Sequence, residues 1–270
     1  MSPYTVNTSS PRHNYSKKET NNSSTDPKSP KKIPIPLLIL IPILLGVFIY
    51  ASINIINWIS ANAKNAEIQS DLNTAITHSS SNNYEIDFEK LRARNPETTA
   101  YLTVPGTNIN YVVVQGGNND YYLTHNFDHE YNISGWPFGD YRNESPLSTK
   151  NQNYIIYGHS TKDGSMFGSL PDTLSLSWQE NFATSPITLV TPEGTINYQV
   201  FSTYTTDPED YYLTTNLPTS EEYKSFLNAL KSRSNHDYHQ DLTNVTSILT
   251  LSTCNLDGSK RIVLHAHKLQ

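Results

Sequence analysis

Cysteine is nearly absent from this 270-residue chain, which contains only Cys254. A single thiol excludes an internal disulfide framework, and it also excludes a zinc or iron–sulfur site built from several thiolates. No HExxH motif is present either, so a zinc hydrolase is disfavoured. On a protein outside the cell a lone thiol is exposed to oxidation, and Cys254 therefore requires a functional explanation.

Positive charge is also scarce in this sequence. The chain has 19 Lys and Arg against 25 Asp and Glu, which gives a formal net charge of -6. A surface that binds nucleic acid concentrates Lys and Arg, and the globular part shows no such basic stripe. We therefore expect no nucleic-acid partner.

The N-terminal region has a composition unlike the rest of the chain. Residues 1–32 are rich in Ser, Asn, Pro and Lys with few large apolar side chains, so we predict a disordered cytoplasmic tail. Residues 35–53 are uncharged and long enough to cross the ~30 Å hydrocarbon layer, which predicts a transmembrane anchor over residues 33–59. Basic residues precede this run and the next one is Lys64, so the remainder of the chain is expected outside the cell.

The apolar run has two other possible interpretations. A cleaved signal peptide would explain Ala61-Asn-Ala63, but secretory apolar cores span only about 7–15 residues. A buried core helix would need a polar solvent face, which the run lacks. The sequence favours an uncleaved, single-pass anchor in the cell membrane, followed by an extracellular linker or short helix over residues 60–84.

Beyond residue 85 the sequence pattern is that of β structure. A short helix is expected over residues 85–95, ending before Pro96. Seven short runs of β-branched and aromatic residues follow, at residues 101–104, 109–114, 154–157, 187–190, 196–201, 248–251 and 262–265. Without regular helices between them, these runs favour an all-β barrel or sandwich over a parallel α/β sheet.

One clear helix interrupts the strands. Thr219-Ser-Glu-Glu222 has the form of a capping box. Apolar residues follow at helical spacing, at Tyr223, Phe226, Leu227 and Leu230. We predict a helix over residues 219–233 that packs one apolar face on the barrel.

Cys254 ends an apolar strand, and Arg261 opens the next strand after a short loop with an Asp-Gly turn. Such a hairpin brings a thiol and a guanidinium to the same end of two neighbouring strands. Taken alone, the pair also has a structural interpretation. A lone cysteine is usually a small buried hydrophobe, and an arginine at the start of a strand is usually solvated.

His159 follows a strand and a glycine in Tyr157-Gly-His159. A histidine at a strand end is more often structural than catalytic, but an imidazolium beside a thiol raises the thiolate fraction and later protonates a leaving amine. Arg261 would add permanent donors for negative charge that develops on a substrate carbonyl. We therefore expect the Cys254 sulfur close to the His159 ring, with Arg261 on the other side of the sulfur.

Several short motifs occur together in a specific order. They are Thr250-Leu-Ser-Thr-Cys254, Arg261 in Lys-Arg-Ile-Val-Leu, Tyr-Gly-His159, and the segments 102–111, 114–116, 119–123, 140–143 and 164–167. Each motif is short, but their order and combination are specific. Together they resemble the sortase family, and more narrowly class B sortases, over roughly residues 85–269.

The resemblance implies a fold and an activity. The expected fold is a closed eight-stranded β-barrel with N-terminal helices and one long helix between two late strands, forming a catalytic domain over residues 85–270. The expected activity is a cofactor-independent cysteine transpeptidation that cleaves a C-terminal sorting signal of the Asn/Ser/Leu-Pro-x-Thr-Asn/Gly type on secreted proteins. The acceptor would be an amine of a peptidoglycan precursor or cross-bridge. Cys254 matches the nucleophile, His159 the acid/base and Arg261 the charge stabiliser.

The resemblance also implies a peptide groove lined by five residues: Asn119, Leu123, Tyr212, Leu213 and Ser252. There are departures from the family pattern, since the loop from Cys254 to Arg261 is short and Gly135-Trp-Pro-Phe138 replaces the usual Gly-Ser-Ile-Phe. His265 and His267 alternate on the last strand and face one side, but no third ligand is evident and we predict no metal site.

Two functional alternatives remain open at this point. A pilin-polymerising sortase would use a lysine side chain as acceptor, and the recognition residues do not distinguish it from a cell-wall sortase. A non-catalytic surface-binding module would keep the barrel without turnover. The complete set of Cys254, His159 and Arg261 argues against that module, because binding needs no unpaired external thiol.

Overall fold

The computed structural model describes residues 34–79, 83–145, 147–148, 152–209, 211–254 and 258–269. The tail predicted over residues 1–32 lies outside these residues. The chain divides into two compact units, Met1–Ile49 and Tyr50–Gln270. The second unit contains the barrel and every site considered below.

Helix α1 spans Ile35–Leu72 and contains the apolar run, with Pro42 inside it. The helical segment Pro36–Ala75 is long and apolar enough to cross a membrane, and none of its most apolar window is buried by protein. The helix continues beyond residue 59, the predicted end of the anchor, because its polar later turns bind the barrel. For example, the Asn65 side chain donates to the Gly135 carbonyl at 3.0 Å.

Short elements connect α1 to the barrel. Strand β1 (Ile76–Ser79) pairs antiparallel with β2 (Asn83–Ile86), and helix α2 follows at Phe88–Arg94. The Asp87 side chain caps α2 by accepting from the Lys90 amide at 2.9 Å. The helix expected before Pro96 is thus confirmed, whereas the β1–β2 pair is not apparent from the polar linker sequence.

Eight strands form a closed barrel in the order β10-β8-β7-β3-β4-β5-β6-β9. The strands are β3 Thr98–Thr103, β4 Asn110–Val114, β5 Phe138–Gly139, β6 Asn153–Tyr157, β7 Ile187–Thr191, β8 Gly194–Thr206, β9 Ile248–Cys254 and β10 Arg261–Lys268. The all-β barrel predicted from the sequence is therefore confirmed. The seven predicted runs correspond to seven of the strands, and the eighth, β5, is too short at two residues to produce a sequence pattern.

Two strand pairings place the candidate site. Strand β6 runs parallel to β9, with Tyr157 opposite Ser252, so the residues that follow both strands emerge at the same end of the barrel. Strand β10 runs antiparallel to β9, with Arg261 directly opposite Cys254. As a result, His159, Cys254 and Arg261 come from three adjacent strands at one barrel end.

Two helices cover parts of the barrel: α3 (Leu176–Phe182) and α4 (Ser220–Ser232). Helix α4 begins with the predicted capping box, in which Thr219 and Glu222 exchange hydrogen bonds. Its buried side chains Tyr223, Leu227 and Leu230 form a hydrophobic cluster with residues of β8, β9 and β10. Each fully buried leucine contributes about 1.5–3 kcal/mol, so this face holds α4 and the loop before it on the barrel.

Candidate active site

A cleft of 390 Å³, here called cleft 1, opens at the barrel end where β6 and β9 finish. Both His159 and Arg261 line it. All five residues predicted to bind substrate line it as well: Asn119, Leu123, Tyr212, Leu213 and Ser252. The structure thus brings together side chains from five separate segments of the chain into a space of the size that binds small or extended ligands.

Cys254 is placed at cleft 1 by its backbone. The two residues before it, Ser252 and Thr253, line the cleft, and its strand partner Arg261 lies on the other side of the hairpin. The Cys254 side chain and loop residues 255–257 lie outside what the structure describes. The expected proximity of the sulfur to the His159 ring therefore stays a prediction.

The Arg261 guanidinium makes few and only weak hydrogen bonds to described protein groups. Its Nη1 atom makes only long hydrogen bonds, to the Lys260 carbonyl at 3.4 Å and the Gly258 carbonyl at 3.5 Å. Within the described residues, no carboxylate lies at salt-bridge distance from it. Its donors are therefore available to a carbonyl or oxyanion in cleft 1.

A glycine sets the backbone position of His159. A Cβ atom on Gly158 would meet the Phe167 ring at 2.7 Å, so no larger residue fits without moving that buried ring. The backbone on both sides is fixed, since the Gly158 amide donates to the Ser252 carbonyl at 3.3 Å and the Phe167 amide donates to the His159 carbonyl at 2.9 Å. His159 is thus held beside β9.

One hydrogen bond orients the His159 ring. The Nε2 atom lies 2.8 Å from the Leu123 carbonyl oxygen. A carbonyl oxygen only accepts, so Nε2 carries a proton and Nδ1 is the nitrogen left for proton exchange in the cleft. Leu123, predicted only as a groove-lining side chain, therefore also acts through its main chain.

A buried acidic group lies beneath cleft 1. The Asp140 carboxylate is fully buried and accepts from Arg142 Nε at 2.8 Å, Arg142 Nη2 at 2.7 Å and the Tyr157 hydroxyl at 2.8 Å. Burial acts to raise the pKa of Asp140, but the hydrogen bonds from Arg142 and Tyr157 outweigh it and lower that pKa below its usual value. Asp140 is therefore an anion at neutral pH, and it binds two residues that line the cleft, Asn119 and Tyr157.

This group extends to both walls of cleft 1. Arg142 Nη2 also donates to the Leu213 carbonyl at 3.0 Å, and Asn119 Nδ2 donates to Asp140 at 3.0 Å. Sequence reasoning missed these roles, although residues 140–143 are among the motifs that carry the family resemblance. The available signal was the charged pair Asp140 and Arg142, which follows a run of nine uncharged residues at 131–139.

Asn119 has a partly structural role. Besides its bond to Asp140, its side-chain carbonyl accepts from the Tyr141 amide at 3.0 Å. One N–H of its amide group is left for a ligand, because a primary amide carries two. The predicted contact to a substrate therefore depends on a single donor.

The wall formed by Tyr212 and Leu213 is attached to the barrel by buried polar contacts. The Tyr212 hydroxyl lies 3.1 Å from Ser252 Oγ. Asn153 Nδ2 donates to the Tyr212 carbonyl at 3.0 Å and to the Thr214 carbonyl at 2.9 Å. Two residues predicted to bind substrate thus also bind each other through a buried contact.

A directed hydrogen-bond chain continues below this wall. The Thr250 hydroxyl donates to Asn153 Oδ1 at 2.6 Å, so it accepts from His265 Nδ1, which lies 2.8 Å away. His265 Nε2 then accepts from the Tyr204 hydroxyl at 2.9 Å. His265 is fully buried, and burial lowers its pKa to about 3, so the ring is neutral as the chain requires.

The last-strand histidines thus bind protein groups. His267 Nε2 lies 3.1 Å from Gln240 Oε1, whereas both His265 nitrogens bind Thr250 and Tyr204. Within the described residues, no group of three or more His, Cys, Asp or Glu side chains could hold a metal ion.

Comparisons with known proteins agree on one family. A sortase-domain model matches residues 102–269. Sortase B of Listeria monocytogenes is 32% identical over 222 residues, covering 80% of this chain and 88% of that protein. Sortase B of Staphylococcus aureus is 36% identical over 182 residues, covering 66% of this chain and 73% of that protein.

Solved structures give the same result. Sortase B from Bacillus anthracis in complex with AAEK1 matches with a TM-score of 0.67 at 31% identity, covering 78% of this chain and 99% of that one. The Staphylococcus aureus sortase B–substrate complex matches with a TM-score of 0.62 at 30% identity, covering 82% of this chain and 99% of that one.

The barrel and these matches define the class of protein as a cysteine transpeptidase of the sortase type. The chain belongs to the sortase family, and the relatives named above are class B enzymes, so the resemblance read from the sequence is confirmed.

Proposed function

We propose that this chain cleaves a C-terminal sorting signal on secreted proteins and transfers the protein to an amine of the cell wall. One observation carries the proposal. Cys254 and Arg261 are direct partners in a strand pair, and Arg261 lines the same cleft as His159. Nucleophile, base and oxyanion donor are thereby assigned to one barrel end.

The first half-reaction uses all three residues. His159 Nδ1 takes the thiol proton of Cys254, and the thiolate attacks the carbonyl carbon of the scissile peptide bond. Arg261 donates hydrogen bonds to the oxygen on which negative charge develops. His159 returns the proton to the leaving amine, the C–N bond breaks, and an acyl-enzyme thioester remains on Cys254.

Cleft 1 suits an extended peptide of the Asn/Ser/Leu-Pro-x-Thr-Asn/Gly type. Leu123, Tyr212 and Leu213 provide apolar walls for a proline kink, and Asn119 offers one N–H to a polar first residue. Ser252 and Thr253 line the same cleft just before Cys254, which supports a contact with the residue before the cut.

The proposed organisation follows from the sequence and α1. A cytoplasmic tail over residues 1–32 precedes an anchor over residues 33–59, a linker over residues 60–84 and an extracellular catalytic domain over residues 85–270. Helix α1 supports an anchor by its length and apolar composition, and the basic residues before it support a cytoplasmic N-terminus.

The proposal is tested with the full chain in detergent micelles and a library of sorting-signal peptides. Triglycine serves as acceptor and a lysine-bearing peptide as the pilin-like competitor, with products sequenced by mass spectrometry. We expect cleavage after Thr, a triglycine adduct, and a trapped thioester that is lost in Cys254→Ala. Cleavage retained in Cys254→Ala would contradict the nucleophile, and preference for the lysine peptide would favour the pilin-polymerising alternative.

A further inference from the structure

A second cleft, here called cleft 2, also reaches His159. It has a volume of 460 Å³ and is lined by residues of α1, of the loop at 133–134 and of the segment after β6. Its lining residues on α1 are Asn54, Ile55 and Trp58. Among the described lining residues of both clefts, His159 is the one they share.

Buried and short polar contacts hold α1 at this position. The Asn132 side chain donates to Asn65 Oδ1 at 2.9 Å and to the Ala61 carbonyl at 2.8 Å. The Ser134 hydroxyl donates to Asn62 Oδ1 at 2.5 Å. Trp58 lies one helical turn before Asn62 on the same face, so the wall that α1 gives to cleft 2 is built into the fold.

The proposed chemistry requires a second route to His159. After the first half-reaction the acyl group stays bound to Cys254, and its peptide fills cleft 1. The acceptor must nevertheless bring its nitrogen to the thioester carbon within reach of His159, which takes up its proton. An opening other than the filled part of cleft 1 is therefore needed.

We propose that cleft 2 receives the acceptor, a primary amine carried on an extended chain. This inference rests on the proposed function. In the step itself the amine nitrogen forms a C–N bond to the thioester carbon, the C–S bond breaks, sulfur leaves as the Cys254 thiolate, and the amine proton passes to His159. The imidazolium–thiolate pair that begins the next cycle is thereby restored.

The lining of cleft 2 fits such a ligand. Ile133 is 51% exposed and lies outside the predicted span, so apolar surface is open to an incoming chain, and Ile55 continues this surface at the end of the span. Lys162 is the charged residue among the described lining groups, and no carboxylate is among them. An amine must react as the free base, and a carboxylate here would instead hold it as an ammonium ion.

The position of cleft 2 along α1 also fits. Ile55 and Trp58 belong to the last two turns of the segment predicted to cross the membrane, and tryptophan is enriched at membrane–water interfaces. An acceptor attached to a membrane lipid would reach the enzyme from this side.

The test separates the two half-reactions. The full chain in detergent micelles is given a sorting-signal peptide with triglycine or with hydroxylamine, and both peptide consumption and the ratio of amine adduct to hydrolysed acid are measured. In Trp58→Ala we expect the ratio of triglycine adduct to hydrolysed acid to fall about tenfold, because an aromatic contact is lost. In Ile55→Ala the same ratio should fall about threefold, because a smaller aliphatic contact is lost. The ratio of hydroxylamine adduct to hydrolysed acid should stay unchanged in both variants, because so small a nucleophile does not need cleft 2 to bind it.

Ile56→Ala is the matched control, since Ile56 is the adjacent residue, is 61% exposed and does not line cleft 2. An unchanged triglycine ratio in both Ile55→Ala and Trp58→Ala would overturn the inference. So would an equal fall in Ile56→Ala or an equal fall with hydroxylamine. Failure of the unmodified chain to consume any peptide would instead overturn the proposed function, and this inference with it.

Discussion

His159 and His265 lie in two regions of the barrel that differ in exposure and in the number of ring nitrogens bound to protein groups. His159 stands between two clefts, partly exposed, with one nitrogen bound to the Leu123 carbonyl. His265 lies in the closed layer under α4, with both nitrogens bound to hydroxyl groups. The His159 ring keeps one nitrogen for proton exchange, whereas both nitrogens of the His265 ring are already hydrogen-bonded.

The difference separates a buried region that fixes the geometry of the barrel from an exposed region that is available for chemistry. A satisfied buried network fixes geometry, because each member is costly to leave unpaired. The chain from Tyr204 through His265, Thr250 and Asn153 ends on the backbone of the wall at Tyr212. The buried histidine thus positions the groove in which the exposed one is proposed to act.

The largest expected effect is the loss of the proposed acid/base. His159→Ala should lower kcat/KM for peptide cleavage by about 10²–10⁴, since a positioned proton donor contributes that much. Because the ring is partly exposed and loses one hydrogen bond, to the Leu123 carbonyl, the free energy of unfolding should fall by only about 0.5–1.5 kcal/mol. Steady-state kinetics and urea titration of the full chain check both parts. Near-normal turnover would contradict the role assigned to His159.

A smaller loss is expected at the strand partner of Cys254. Arg261→Lys keeps the positive charge but removes the planar set of donors, so we expect kcat to fall about 100-fold with a smaller change in KM. Lys260→Arg is the control, because Lys260 is adjacent and pairs with Asp207 at 2.5 Å. Wild-type turnover in Arg261→Lys would reduce Arg261 to a structural residue.

The third prediction concerns pH and the buried ring. The pKa of His265 is lowered to about 3 in the folded chain, below the ordinary value of 6.5. Above pH 6.5 His265 is neutral in both the folded and the unfolded chain, so its protonation does not reduce the free energy of unfolding. As the pH falls below 6.5 the unfolded chain binds a proton that the folded chain does not, so stability should fall by about 1.4 kcal/mol per pH unit from this group.

Urea titrations between pH 7 and pH 4, compared with those of His265→Gln, measure this contribution. The His265→Gln variant should show a shallower loss of stability on acidification than the wild type. Equal slopes in the wild type and His265→Gln would show that His265 is protonated in the folded chain.

The smallest expected effect tests the link between the two regions. Tyr212→Phe removes the hydroxyl that lies 3.1 Å from Ser252 Oγ and should lower stability by about 0.5–1.5 kcal/mol. If the wall positions the peptide, KM for the sorting signal should rise about threefold with kcat nearly constant. An unchanged KM would restrict Tyr212 to packing.

Local patterns explain why much of the fold can be predicted from the sequence. The Thr219 capping box and the apolar runs of β7 and β9 depend on neighbours within a few residues. Strand β5 does not, because its two residues form a strand only by lying between β4 and β6. The β1–β2 pair is local, but its short, largely polar strands give no clear strand pattern in the sequence.

The candidate site divides in the same way. Cys254 and Arg261 are joined by a single hairpin, so their pairing follows from the sequence. The Leu123 carbonyl that orients His159 and the Asp140–Arg142 pair that joins both walls depend on contacts between distant segments. No local pattern encodes such contacts, and family resemblance located the residues without revealing these roles.

The parallel pairing of β6 with β9 has a consequence for folding. It joins segments far apart in the chain, as in the bond between Asn153 and Thr250, which are 97 residues apart. Contacts of such long sequence separation form slowly, because a large loop must close before they contribute. In the proposed mechanism the thiol and its base meet only when the barrel closes, so a chain that has not finished folding is expected to be inert toward peptides.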